Sequence, residues 1–147
     1  MLIVLDTSVI IAQLLTRKKT YTNAIFDLAK SKKIELALSD ETLYELKKSV
    51  SDLKIKNQVN YSSRIVAVFT AWYQYNSFIY KPHTTTTPKL LRDPKDNIFL
   101  QLAIASRATY LISVDKDLLI LKSIGSTHIV TPKEFIIAEF PQLVRSK

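Results

Sequence analysis

Leu2-Ile3-Val4-Leu5-Asp6-Thr7-Ser8 stands at the start of the chain. Four consecutive apolar residues fit a strand buried on both faces, as in a parallel sheet covered by helices on each side. The run stops at a carboxylate. Asp6 therefore falls at the carboxyl end of a strand, where open parallel sheets bind their ligands. Asp is also a preferred helix N-cap, so this residue has an ordinary reading beside the functional one.

Outward from this strand the pattern alternates. Residues 8–15 read as a short helix, and Arg17-Lys18-Lys19 breaks the apolar pattern. A helix over 21–33 turns Ile25, Leu28 and Ala29 inward, and 34–38 reads as a strand. Ser39 caps a helix over 40–53 whose stripe is Leu43, Leu46, Val50 and Leu53, at three-and-four spacing. A helix over 61–75 carries Ile65, Val68, Phe69 and Trp72; 77–80 is a strand and 82–88 a loop bounded by prolines. Asp93 is placed to cap the next helix, with Pro94 at its first position and Asp96 at the third. Strands over 110–114 and 128–130 follow, with helices over 116–121 and 132–140. The alternation predicts α/β architecture in one domain over residues 1–147: three α/β/α layers around a central, mostly parallel sheet.

Composition narrows the chemistry. The chain has 147 residues, 47% of them hydrophobic, enough for a sizeable core and too many for disorder. A single glycine, Gly125, excludes glycine-rich phosphate loops and dinucleotide fingerprints. The absence of Cys excludes disulfides, zinc–thiolate sites and thiol nucleophiles. The first residues lack a charged n-region, and no stretch approaches the ~20 apolar residues that span a bilayer. The expectation is a cytoplasmic protein without a membrane segment. A formal charge of +8 favours polyanionic partners, nucleic acid first.

In such a basic chain the placement of acids is informative. Asp93 and Asp96 fit an ordinary helix start, and Asp115 and Asp117 fit a cap and a first-turn acid. Jointly, however, Asp6, Asp96 and Asp115 fall on one carboxyl edge of one sheet. Two like charges ~4 Å apart repel by about 4 kcal/mol at an effective dielectric near 20. A divalent cation removes that penalty, and an all-oxygen donor set favours Mg²⁺ or Mn²⁺. His83 and His128 are far apart in sequence and are read as non-ligands. Such a metal suits phosphodiester hydrolysis, because it polarises a phosphoryl oxygen and acidifies a bound water.

Four short motifs then occur in order: Leu5-Asp6-Thr7-Ser8-Val9; Ser39 followed by Tyr44-Glu45-Leu46; Asp93-Pro94-Lys95-Asp96-Asn97 followed by Phe99-Leu100; and Ile112-Ser113 followed by Asp115-Lys116-Asp117-Leu118-Leu119. Together they resemble the PIN-domain family over roughly residues 1–135, and within it the toxin components of bacterial toxin–antitoxin pairs. The resemblance implies a metal-dependent endoribonuclease with an RNA substrate, a cognate antitoxin protein and a homo-oligomeric state. It carries acidic roles onto Asp6, Glu45, Asp96 and Asp115, with Asp117 and Asp93 as supplements. It assigns Thr7, Ser8 and Ser113 to orienting the carboxylates or the metal's waters. Ser8 stands where the family often has Asn, Ser113 where it often has Thr, and Val114 where it often has Gly. Glu45 rests on the resemblance alone, since spacing does not separate it from Glu41. Arg92, Lys95 and Lys116 are the expected substrate-phosphate contacts. The alternative is a catalytically silent module that keeps the fold as an RNA-binding or protein-interaction scaffold.

Between Leu53 and Arg92 there is no acid, while the stretch holds half of the chain's 14 aromatic residues. Bases stack on aromatics and cations hold phosphates, so this region reads as an RNA surface, a protein interface or core.

Overall fold

The computed structural model describes residues 1–55, 61–82 and 94–145, with backbone alone at 54–55 and 94–95. The elements run β1 (Leu2–Leu5), α1 (Thr7–Leu14), α2 (Tyr21–Lys30), β2 (Glu35–Ser39), α3 (Asp40–Ile55), α4 (Ser63–Tyr75), β3 (Ser77–Tyr80), α5 (Pro94–Ser106), β4 (Tyr110–Ile112), α6 (Lys116–Leu119), β5 (Ser123–Ile124), β6 (Thr127–Val130), α7 (Pro132–Glu139) and α8 (Gln142–Arg145). Six strands form one sheet in the order β3-β2-β1-β4-β6-β5. Every pairing is parallel except that of β5 with β6.

Alternation along the strands builds two cores. Ile3, Leu5, Leu36, Leu38, Tyr110 and Ile112 face one side, where they pack with residues of α1, α2, α3, α4 and α7. Val4, Ala37, Leu111 and Ile129 face the other, against Phe99, Leu100, Leu102 and Ala103 of α5 and Leu118 of α6. Both sides of β1 are therefore covered, as its unbroken apolar run requires. Fully burying each such side chain stabilises the fold by about 1.5–3 kcal/mol. The result is the three-layer α/β/α arrangement expected from the sequence.

The sheet order also places the ligand edge. The chain builds from β1 through β2 to β3 on one side, then returns to β4 on the other side of β1. The direction of winding reverses between β1 and β4, and open sheets bind ligands at such a switch point. Asp6 and Ser113 are the residues that leave the sheet there, with Leu5 opposite Ile112 in register.

Three local readings differ from the sequence expectation. On α4 the buried positions are Val66 and Tyr73, whereas Ile65 and Val68 face solvent. The short β5 forms an antiparallel hairpin with β6 across Gly125, whose φ of +56° is the left-handed geometry that glycine tolerates. A last turn of helix, α8, follows Pro141. The loop expected over 82–88 and the Asp93 cap lie outside the described residues, apart from Pro82.

Tyr73 is 1% exposed, and its hydroxyl has no hydrogen-bond partner among the described residues. Burial, with a contribution from the Asp6 charge, pushes its phenol pKa upward. A buried unsatisfied polar group costs about 1–3 kcal/mol. Tyr73→Phe keeps the ring stacked on Phe69 and removes the orphaned oxygen. The expected result is a melting temperature equal to or a few degrees above wild type, read by differential scanning calorimetry.

Candidate active site

Asp6 occupies the N-cap position of α1, but its side chain makes no cap hydrogen bond. Instead Ser8 Oγ donates to Asp6 Oδ2 at 2.6 Å, and Ser113 Oγ donates to the same oxygen at 2.7 Å. Each hydroxyl also accepts. Ser8 Oγ takes the Val114 N–H at 3.3 Å, and Ser113 Oγ takes the Asp115 N–H at 2.9 Å. Two serines thus lash the segment after β4 to the carboxylate after β1. The Asp6 side chain is held chiefly by two hydroxyls, with no full cap hydrogen bond to α1.

Asp6 is 4% exposed. Burial pushes its carboxyl above the ordinary range; the Ser8 and Ser113 hydroxyls and the Ser8 N–H pull against that, and the charge of Asp115 adds to it. Asp115 itself does cap its helix, since its Oδ1 accepts the Asp117 N–H at 2.9 Å. It is partly buried and faces the same space as Asp6.

That space is an open cleft of about 390 Å³ lined by Asp6, Thr7 and Ser8 with Ile11, Glu45, Ser49, Asp52, Leu53, Asp96, Phe99 and Asp115. The sequence-expected acids Asp6, Glu45, Asp96 and Asp115 are all among them. Each comes from a different element: the end of β1, the second turn of α3, the first turn of α5, and the start of α6. Ser39 Oγ accepts the Thr42 N–H at 3.2 Å where α3 begins, which fixes the start of the helix that carries Glu45.

Two lining residues were not anticipated. Asp52 adds a fifth carboxylate, and Ser49 Oγ donates to Glu45 Oε1 at 3.3 Å. The sequence did hold a signal for them. Glu45, Ser49 and Asp52 follow the i, i+4, i+7 spacing of one helix face, the face beside the stripe of Leu46 and Val50.

Other expected residues lie elsewhere or cannot be placed. Asp117 and Lys116 are exposed on α6 and do not line the cleft. Thr7 is buried against the cleft wall. Arg92 and Asp93 lie outside the described residues, and Lys95 is described by its backbone only. His128 is exposed on β6, away from the cleft, and His83 lies outside the described residues.

The described residues of the lining offer carboxylates and hydroxyls and no nitrogen or sulfur ligand, a donor set that fits Mg²⁺ or Mn²⁺. Among the described residues, no group of three or more His, Cys, Asp or Glu side chains stands ready to hold a metal ion. Mg²⁺ does not require one, since it keeps several waters and takes one or two carboxylates with the substrate's phosphates. Asp6, whose carboxyl feels the charge of Asp115, and Asp115 itself suit that demand, with the remaining acids reaching the ion through water.

The aromatics of the acid-free stretch divide. Phe69 and Trp72 pack with Phe26 against the core, and Tyr73 is buried. Tyr75 and Phe78 are exposed.

The description of the family model that matches residues 2–117 is PIN domain. Among solved structures, that of VapBC2 from Rickettsia felis bound to a DNA fragment from their promoter is similar, with a TM-score of 0.45 at 18% identity over 88% of this chain and 97% of that chain. No curated protein matches the chain.

Proposed function

The chain belongs to the PIN-domain family, and from that premise we propose that it is a Mg²⁺- or Mn²⁺-dependent endoribonuclease. The observation that carries the reading is the cleft at the β1/β4 switch point. Among the described residues that line it are five carboxylates and no basic side chain, inside a chain of net charge +8. Uncompensated, such a site repels a phosphodiester, so it serves a polyanion only with a cation bound.

On this reading Asp6, Asp96 and Asp115 hold the metal, directly or through water. The bound ion supplies the positive charge that polarises the phosphoryl oxygen and lowers the pKa of a water. Glu45, aimed by Ser49, accepts the proton that the attacking water loses as its oxygen bonds to phosphorus and the bridging P–O bond breaks. Ser8 and Ser113 keep Asp6 in one orientation. Asp52 lies farther along α3 and adds negative charge to the cleft.

The motif resemblance supports a setting in which this chain is the toxin of a toxin–antitoxin pair, held inactive by a cognate antitoxin, and is itself a homo-oligomer. Growth arrest on expression, relieved by co-expression of the adjacent small reading frame, tests that setting.

A metal titration tests the site itself. Mn²⁺ or Mg²⁺ is expected to raise the melting temperature, by about 2.7 kcal/mol of stabilisation at a hundredfold excess over Kd, and Asp115→Asn to lose most of that gain. A protein whose melting is indifferent to either cation contradicts the metal-dependent reading.

A further inference from the structure

The cleft must hold more of an RNA strand than the phosphate being cut, and the described residues that line it include no cation. The flanking phosphates need positive charge close by. The fold supplies it at the far end of α1, the helix that begins beside Asp6.

Helices α1 and α3 both leave the carboxyl edge of the sheet and pack against each other. Along the cleft, α1 contributes Ser8 and then Ile11, while α3 contributes Glu45, Ser49 and then Asp52 and Leu53. The groove between them therefore runs outward from Asp6. Beyond Leu14 the chain turns through Arg17-Lys18-Lys19, all three exposed.

A hydrogen-bonded bracket fixes where this turn sits. Tyr61, which follows α3 in the chain, donates from its hydroxyl to the Thr16 carbonyl at 2.9 Å. Buried Gln13 donates from Nε2 to that same hydroxyl at 3.5 Å and to the Lys18 carbonyl at 3.4 Å. The Lys18 N–H donates to Thr16 Oγ1 at 3.1 Å, and Thr20 Oγ1 donates to Gln13 Oε1 at 2.5 Å. The backbone of the turn is thus tied to a buried amide, and Lys18 and Lys19 are exposed just beyond the end of α1. The eight helical residues of α1 carry the chain about 12 Å from Asp6 before this turn begins. A nucleic-acid strand places several phosphates in that span, at an axial rise of about 3.4 Å in a helix.

We propose that Lys18 and Lys19 grip phosphates of the RNA strand a few nucleotides from the bond being cut, so that the strand lies along the α1–α3 groove. This rests on the ribonuclease reading above. The partner is single-stranded RNA, whose backbone can descend to the buried Asp6 while its neighbouring phosphates stay at the rim.

The test uses salt dependence of binding. Affinity for a short labelled single-stranded RNA is measured by fluorescence anisotropy over a range of salt, with Mg²⁺ present, on an Asp6→Asn background that prevents cutting. For single strands the slope of log affinity against log salt is about 0.7 per neutralised phosphate. Lys18→Gln/Lys19→Gln is expected to lower the slope by about 1.4. Lys32→Gln/Lys33→Gln removes equal charge at the opposite, amino edge of the sheet, where β2 begins, and is expected to leave it unchanged. An unchanged slope in the first pair, or an equal fall in both, overturns the proposal. Cleavage by the protein with Asp6 intact is followed in parallel. If it cuts RNA but the slope does not move, the loop assignment alone fails; if the slope falls as expected and nothing is cut, the loop stands and the nuclease reading fails.

Discussion

Asp6→Asn is expected to raise the melting temperature of the metal-free protein while abolishing its activity. Asp6 is nearly fully buried, and burial holds its carboxyl above the ordinary carboxylate range in the folded state. The native state therefore binds this proton more tightly than the unfolded chain does. Its contribution to stability is fully present below the unfolded pKa and is lost as pH rises through the folded pKa. At neutral pH the metal-free protein carries a buried charge that only hydroxyls and an amide compensate. Asparagine removes the charge, and its Oδ1 still accepts from Ser8 and Ser113. A gain of about 1 kcal/mol corresponds to roughly 3 °C in a domain of this size. Activity should fall at least ~100-fold, since the cation's stabilisation of the transition state is worth several kcal/mol and each 1.36 kcal/mol is tenfold in rate. Calorimetry and a cleavage assay on the same preparation check both halves. A variant that melts lower and loses activity has merely been damaged, and the charge-burial account of Asp6 then fails.

Ser113→Ala should be the most damaging change that removes no acid. Ser113 is 0% exposed, and its Oγ does two things at once: it donates to Asp6 and accepts the Asp115 N–H. Alanine deprives the Asp6 carboxylate of a donor and leaves that N–H without its partner. The expected cost is about 1–3 kcal/mol of stability. Loss of a residue that orients a metal-binding carboxylate should also weaken metal affinity by about 10–100-fold. Ser113→Thr retains the hydroxyl and should restore both. Isothermal titration with Mn²⁺ separates the outcomes: if alanine and threonine bind the ion equally well, Ser113 only packs.

Much of this was legible in the sequence because two signals coincide. The unbroken run at Leu2–Leu5 fixes a doubly covered strand, and the helix stripes beyond it fix the alternation. Asp6, Asp96 and Asp115 follow from strand ends and helix starts, which the chain marks plainly. Glu45 needed the family resemblance. It lies in the second turn of a helix, and nothing local distinguishes it from Glu41. Asp52 was missed because it sits in the fourth turn of the same helix, about three turns from the sheet edge that the strand ends mark. The Ser8 and Ser113 network was expected only as a role by resemblance. Its geometry depends on β1 and β4 being neighbours, which sheet order decides and local sequence does not. The burial of Val66 and Tyr73 in place of Ile65 and Val68 has the same cause: the helix face that turns inward is set by where α2 and α3 already pack.

The most direct measurement of the central claim is cleavage of a labelled RNA by the purified protein and by Asp6→Asn, with Mn²⁺ titrated in and then removed by EDTA. The five-carboxylate cleft is expected to give cutting that rises with the ion, stops with the chelator and is absent in Asp6→Asn. Cutting that persists in EDTA, or that Asp6→Asn performs as well as wild type, contradicts it.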